Sequence, residues 1–129
     1  MGVAAEKRLL VVDDYQTMVR IIKKVLIEIG FEKIDQASNG EEALAMVEEH
    51  SYDLVISDWN MDKMTGLELL EHIRANPATK ELPFIMVTAE SKPANVLAAR
   101  SAGANNYLVK PFAPDTIKEK IEGILGPLD

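Results

Sequence analysis

Five short runs with strand character, each separated from the next by a stretch of helical period, leave this chain few ways to fold. The runs are Arg8 to Asp14, Lys33 to Ala37, Asp53 to Asp58, Pro83 to Thr88 and Asn106 to Lys110. Leu9 to Val12 and Leu54 to Ile56 are uninterrupted apolar segments. Such runs are too short for a helix that must bury all round, and read as strands covered on both faces. Between them, Met18, Ile21, Ile22, Val25, Leu26 and Ile29 fall at steps of three and four, a single helical stripe closed by Gly30. Ser38-Asn39-Gly40 is a turn, and Glu41 to Glu49 forms a second helix with Ala43, Leu44 and Val47 inward. A third helix after Gly66 carries Leu67, Leu70 and Ile73, and Asn76-Pro77 ends it. The fourth, Pro93 to Ala102, turns mostly alanine inward and is expected to be the loosest, with Gly103 as its cap. The last starts at Asp115, with Ile117, Ile121, Ile124 and Leu125 inward, before Gly126-Pro127.

Strict alternation of strand and helix implies a parallel sheet with helices on both sides. Right-handed crossovers reduce the choices to a flavodoxin-like, doubly wound (βα)5 three-layer sandwich of strand order 2-1-3-4-5. That order puts the polar second strand at an edge and sets strands one and three side by side at the switch point. The 129 residues make one domain, 1–129, without linker, repeat or low-complexity tract. No apolar stretch reaches the roughly 20 residues of a membrane span, and the N-terminus has no signal-peptide pattern. Absence of cysteine excludes disulfides and thiolate metal sites and fits a cytoplasmic location. A net charge of -7 argues against nucleic acid or an anionic membrane as partner, and favours cationic groups.

In a parallel sheet the carboxyl ends of all strands point one way. Here those ends are Asp13 and Asp14, Asp58, Thr88 and Lys110, so three carboxylates, a hydroxyl and an ammonium are expected to converge. Three close carboxylates repel one another, and a hard divalent cation removes that penalty. All-oxygen ligation suits Mg²⁺, or Mn²⁺, better than zinc. Metal, ammonium and carboxylate together suit phosphoryl chemistry, with Asp58 as a nucleophile forming an acyl phosphate and Lys110 and Thr88 at its oxygens. His50 and His72 lie on flanking helices without metal-ligand spacing, and read as solvated.

The same residues carry a resemblance. Asp13-Asp14, Ser57-Asp58-Trp59-Asn60-Met61, Gly66-Leu67-Glu68-Leu69-Leu70, Met86-Val87-Thr88-Ala89-Glu90 and Val109-Lys110-Pro111-Phe112 match, in order and spacing, the receiver domains of two-component response regulators. The match spans essentially the whole chain and is closest to single-domain chemotaxis regulators. It implies that Asp58 accepts a phosphoryl group from a histidine kinase or a small acyl phosphate. It implies that Asp13, Asp14, Asp58 and the backbone carbonyl of Asn60 hold Mg²⁺, with Lys110 pairing the phosphate ahead of a cis Lys110-Pro111 bond. Thr88 and Tyr107 would be the switch pair, reshaping the face of helix four, strand five and helix five. Asn60 and Glu90 would tune the lifetime of the phosphoryl group. The implied output is binding of a partner protein such as a flagellar motor switch component. Asp62-Lys63 stands where many receivers place a proline after the equivalent of Met61, which adds a fourth acid near the metal. Lys92 and Lys120 match basic positions on the signalling face.

Taken singly, these residues have plainer readings. Asp14 suits a helix N-cap, Tyr107 ordinary core packing, and Trp59 a partly exposed loop position. A phosphatase of the haloacid dehalogenase type also uses an Asp nucleophile, yet needs a second acid two residues on, where this chain has Asn60. Flavin binding on the same fold needs a hydroxyl- and glycine-rich loop after strand one, where this chain has Asp13-Asp14. A relay receiver acting on a phosphotransfer protein or kinase would use the same site residues.

Overall fold

Alternating side chains along each central strand divide the interior into two apolar layers. The computed structural model describes residues 3–61, 63–89, 92–110 and 112–127, with strands β1 (Arg8–Val12), β2 (Lys33–Ala37), β3 (Leu54–Asp58), β4 (Phe84–Thr88) and β5 (Asn106–Val109). The helices are α1 (Gln16–Ile29), α2 (Gly40–Glu49), α3 (Gly66–Ala75), α4 (Pro93–Ser101) and α5 (Pro114–Leu125). All strand pairs are parallel and the order is β2-β1-β3-β4-β5, as expected from the alternation. Leu9, Val11, Leu54, Ile56, Ile85, Val87 and Leu108 pack with α1 and α5 on one side. Leu10, Val12, Val55, Phe84 and Met86 pack with α2, α3 and α4 on the other. Period-two alternation in strands buried on both faces produces this division.

Helix starts follow local chemistry. The Asn39 side chain accepts the Glu42 N–H at 2.9 Å to cap α2. Thr65 and Glu68 form a reciprocal capping box on α3. At α1 the N-cap is Tyr15, without a side-chain cap, so Asp14 does not fill that role. Gly30 at φ 126° closes α1, a conformation that suits glycine.

Two helices are rotated relative to the stripes read from sequence. On α1, Val19 is buried and Ile21 is 45% exposed. On α3, Leu69 is buried while Leu67 is only partly so. Each stripe has two possible edges, and packing against the sheet selects between them. α4 buries Ala99 alone and leaves Leu97 61% exposed, in keeping with its alanine-rich inner face. A 3-10 turn, Val3–Glu6, precedes β1, with Ala4 in the α1-side core. No sequence pattern pointed to that turn.

Candidate functional site

Strand register brings the carboxyl ends level. Val12 pairs with Ser57, Asp58 with Val87, and Thr88 with Val109. Backbone bonds just past the strands extend this alignment: the Asp13 N–H donates to Ala37, the Trp59 N–H to Val87 and the Lys110 N–H to Thr88. Asp13, Asp14 and Asp58 consequently each offer a carboxylate oxygen, all within 4.8 Å of one another. Asp13 and Asp58 are buried and Asp14 is exposed, so the cluster has a dry floor and an open side.

The Lys110 ammonium enters the cluster from β5, donating to Asp58 Oδ1 at 3.0 Å and to Asp13 Oδ2 at 3.4 Å. Asp13 Oδ1 accepts the Tyr15 N–H at 2.9 Å, so its two oxygens are divided between the start of α1 and the site. Burial pushes the Asp58 carboxyl above its ordinary value; the Lys110 hydrogen bond opposes this and the Asp13 charge adds to it. Burial alone would lower the Lys110 ammonium, but Asp58 and Asp13 outweigh it, and its affinity for the proton is raised. The lysine is thus held charged, beside a carboxylate whose charge is costly. These three carboxylates are capable of coordinating a divalent metal: they supply hard oxygens from one open-sided cluster, and a cation there offsets their mutual repulsion.

Thr88 is buried at the tip of β4, one residue beyond the Asp58–Val87 pair. By strand alternation it shares a face with Met86, whose register partner on β5 is Tyr107. The Tyr107 ring is partly buried and meets the Trp59 ring edge-on, centroids 6.4 Å apart. Asn60 is exposed and shares a shallow open recess with Asp14, Met61 and Thr65. Asp62, Glu90 and Pro111 lie outside the described residues. His50 and His72 are exposed.

Two residues that the sequence reading named within motifs, without giving them a role, also shape the site. Ser57, fully buried, donates its hydroxyl to the Asp58 carbonyl at 2.9 Å and steadies the end of β3. Its signal was a lone polar residue closing an apolar run. Gly66 donates its N–H to the Trp59 carbonyl at 2.9 Å, and a side chain there would collide with the Asp58 carbonyl. A recess of about 670 Å³ lies at the opposite end of the sheet, lined by residues such as His50, Tyr52, Asn76 and Pro83. None of the residues expected at the site lines it.

Comparison with known proteins agrees with this arrangement. Residues 9–122 match the response regulator receiver domain family. Chemotaxis protein CheY-3 of Vibrio cholerae is 44% identical over 121 residues, covering 94% of this chain and 93% of that protein. Chemotaxis protein CheY of Pseudomonas aeruginosa is 46% identical over 117 residues, 91% of this chain and 94% of that one. The solved structure of Vibrio cholerae chemotaxis protein CheY4 superposes with a TM-score of 0.85 at 32% identity, covering 92% of this chain and 98% of that one.

Proposed function

The chain belongs to the response regulator receiver domain family, and on that premise we propose that it is a phosphorylation switch with Asp58 as the acceptor. The observation that carries this reading is the Lys110 ammonium 3.0 Å from Asp58 inside a cluster of three carboxylates. An Asp58 oxygen attacks the phosphorus of a phosphohistidine on a kinase, or of a small acyl phosphate. The old P–N or P–O bond breaks, its electron pair leaves with the donor, and an aspartyl phosphate forms. Lys110 meets the phosphoryl oxygens with positive charge and Thr88 donates a hydrogen bond to them. Asp13, Asp14, Asp58 and the Asn60 carbonyl would hold Mg²⁺, or Mn²⁺, which would supply charge neutralisation for the phosphoryl group. By the family resemblance, Asn60 and Glu90 tune the lifetime of the product.

Thr88 drawn toward the phosphoryl group leaves room for Tyr107 to turn inward, changing the α4–β5–α5 face. The output is protein binding on that face, with a histidine kinase upstream and a flagellar motor switch component as target in the cytoplasm. The chemotaxis relatives favour this output over a relay to a phosphotransfer protein. Among the described residues, no helix is long and apolar enough to cross a membrane.

Trp59 fluorescence is the direct test. Titration with Mg²⁺ and then beryllofluoride is expected to change its emission, and acyl-phosphate labelling is expected at Asp58. Silence in both assays would refute the switch. A pull-down with wild type plus beryllofluoride against Asp58→Asn separates the outputs. Capture of a motor switch component supports the first reading, and capture of a phosphotransfer protein supports the relay.

A further inference from the structure

β5 is held at both of its ends by side chains from elsewhere in the chain. At its carboxyl end Lys110 reaches Asp58. At its amino end the holding group is Arg74, in the last turn of α3. The Arg74 guanidinium donates to the Gly103 carbonyl from Nε at 3.1 Å and from Nη2 at 2.8 Å. It also donates to the Leu82 carbonyl at 2.6 Å and to Asn105 Oδ1 at 3.0 Å. Asn105 in turn ties the strand to β4, its Oδ1 accepting the Phe84 N–H at 2.9 Å and its own N–H donating to the Phe84 carbonyl at 2.8 Å. One planar cation therefore joins α3, the start of β4 and the connector between α4 and β5.

Four further features make this contact more than a surface pairing. All four of these bonds go to carbonyl or amide oxygens rather than to a carboxylate, so they specify geometry instead of neutralising charge. Gly103, at φ 106°, brings its Cα against the guanidinium, and a side chain there would crowd Arg74. α4 buries Ala99 alone, so its own packing fixes it weakly. A cation at the carboxyl end of α4 also meets the negative end of the helix dipole.

We propose that Arg74 is the positioning residue of the switch: by fixing the α4–β5 connector, it makes a change sensed by Lys110 at Asp58 emerge as movement of Tyr107 and α4. With the amino end free, the same pull on Lys110 is taken up by displacement of the whole strand, and Tyr107 keeps its surroundings. This inference rests on the receiver reading above and adds a residue remote from the phosphoryl site.

The chain has three tyrosines, so 3-fluorotyrosine labelling yields three ¹⁹F resonances, from Tyr15, Tyr52 and Tyr107. Tyr107→Phe assigns the one that matters. In Arg74→Met, Asp58 labelling by a small acyl phosphate is expected to stay within about twofold of wild type. The beryllofluoride-induced displacement of the Tyr107 resonance is expected to fall to less than about half, because coupling between sites is a separable free energy. Arg74→Lys keeps the charge but lacks the planar fork, and is expected to fall between the two; it also serves if the methionine variant does not fold. A folded variant with the full Tyr107 displacement overturns the proposal, as does one in which phosphorylation and displacement fall together. Absence of both responses in the wild type instead overturns the receiver reading itself.

Discussion

The same change to alanine should have opposite effects at Gly66 and at Gly123. A Cβ at Gly66 would strike the Asp58 carbonyl and the Met86 sulfur, whereas one at Gly123 meets nothing within 4 Å. Gly66→Ala is expected to cost about 1–3 kcal/mol in urea unfolding and to blunt the Trp59 response to Mg²⁺. Gly123→Ala, within α5, should stabilise by about 0.5–1 kcal/mol in the same assay. Lys63 makes a third case, at φ 69° in the loop after the acceptor. Lys63→Gly relieves a left-handed conformation that costs a side-chain-bearing residue about 1 kcal/mol, so a higher urea midpoint is expected. At this scale the positions of Asp13, Asp14, Asp58, Thr88 and Lys110 were legible, because each ends a strand or stands just past one. The roles of Ser57 and Gly66 were not, since a hydroxyl or a missing side chain matters only once the facing carbonyl is known.

Among the elements, β2 is the polar edge strand, and it is fastened by one polar knot. Arg8 donates to Asp35 from Nε at 3.1 Å and Nη2 at 2.8 Å, and the Tyr52 hydroxyl donates to the same oxygen at 2.7 Å. Burial would raise the Asp35 carboxyl, but the bonds from Tyr52 and Arg8 prevail and lower it. Burial and then the Asp35 bond push the Tyr52 hydroxyl up to about 12. Tyr52→Phe is expected to cost about 1–2 kcal/mol at neutral pH. The Asp35 contribution is present above its ordinary carboxyl value and lost as pH falls through the lowered one. The Tyr52 contribution is complete below about pH 10 and lost as pH rises toward about 12, so the two unfolding curves should converge at both extremes. α4, with a single buried residue, is expected to exchange its amide hydrogens fastest of the five helices, as read by mass spectrometry. Element type and order followed from periodicity. Helix rotation did not: the α1 stripe allows either Val19 or Ile21 at its edge, and the facing sheet selects Val19.

For the molecule as a whole, three carboxylates meet where β1 and β3 end side by side, and a bound cation should act on global stability. Mg²⁺ at about 100 times its dissociation constant is expected to add about 2.7 kcal/mol to unfolding, and chelation should reverse it. Asp13→Asn is expected to remove most of that gain in a thermal melt; an unchanged gain would show that the ion binds elsewhere. The sequence by itself determined which segments are strands and helices, their parallel order, and which functional groups stand at the strand tips. Those properties are local, because apolar period and turn residues act over a few neighbours. Only the tertiary structure decided that Lys110 sits between Asp58 and Asp13, that Trp59 meets Tyr107, and that Arg74 holds the far end of β5. Such contacts join residues dozens of positions apart, and they depend on register and helix rotation that the packed core sets collectively.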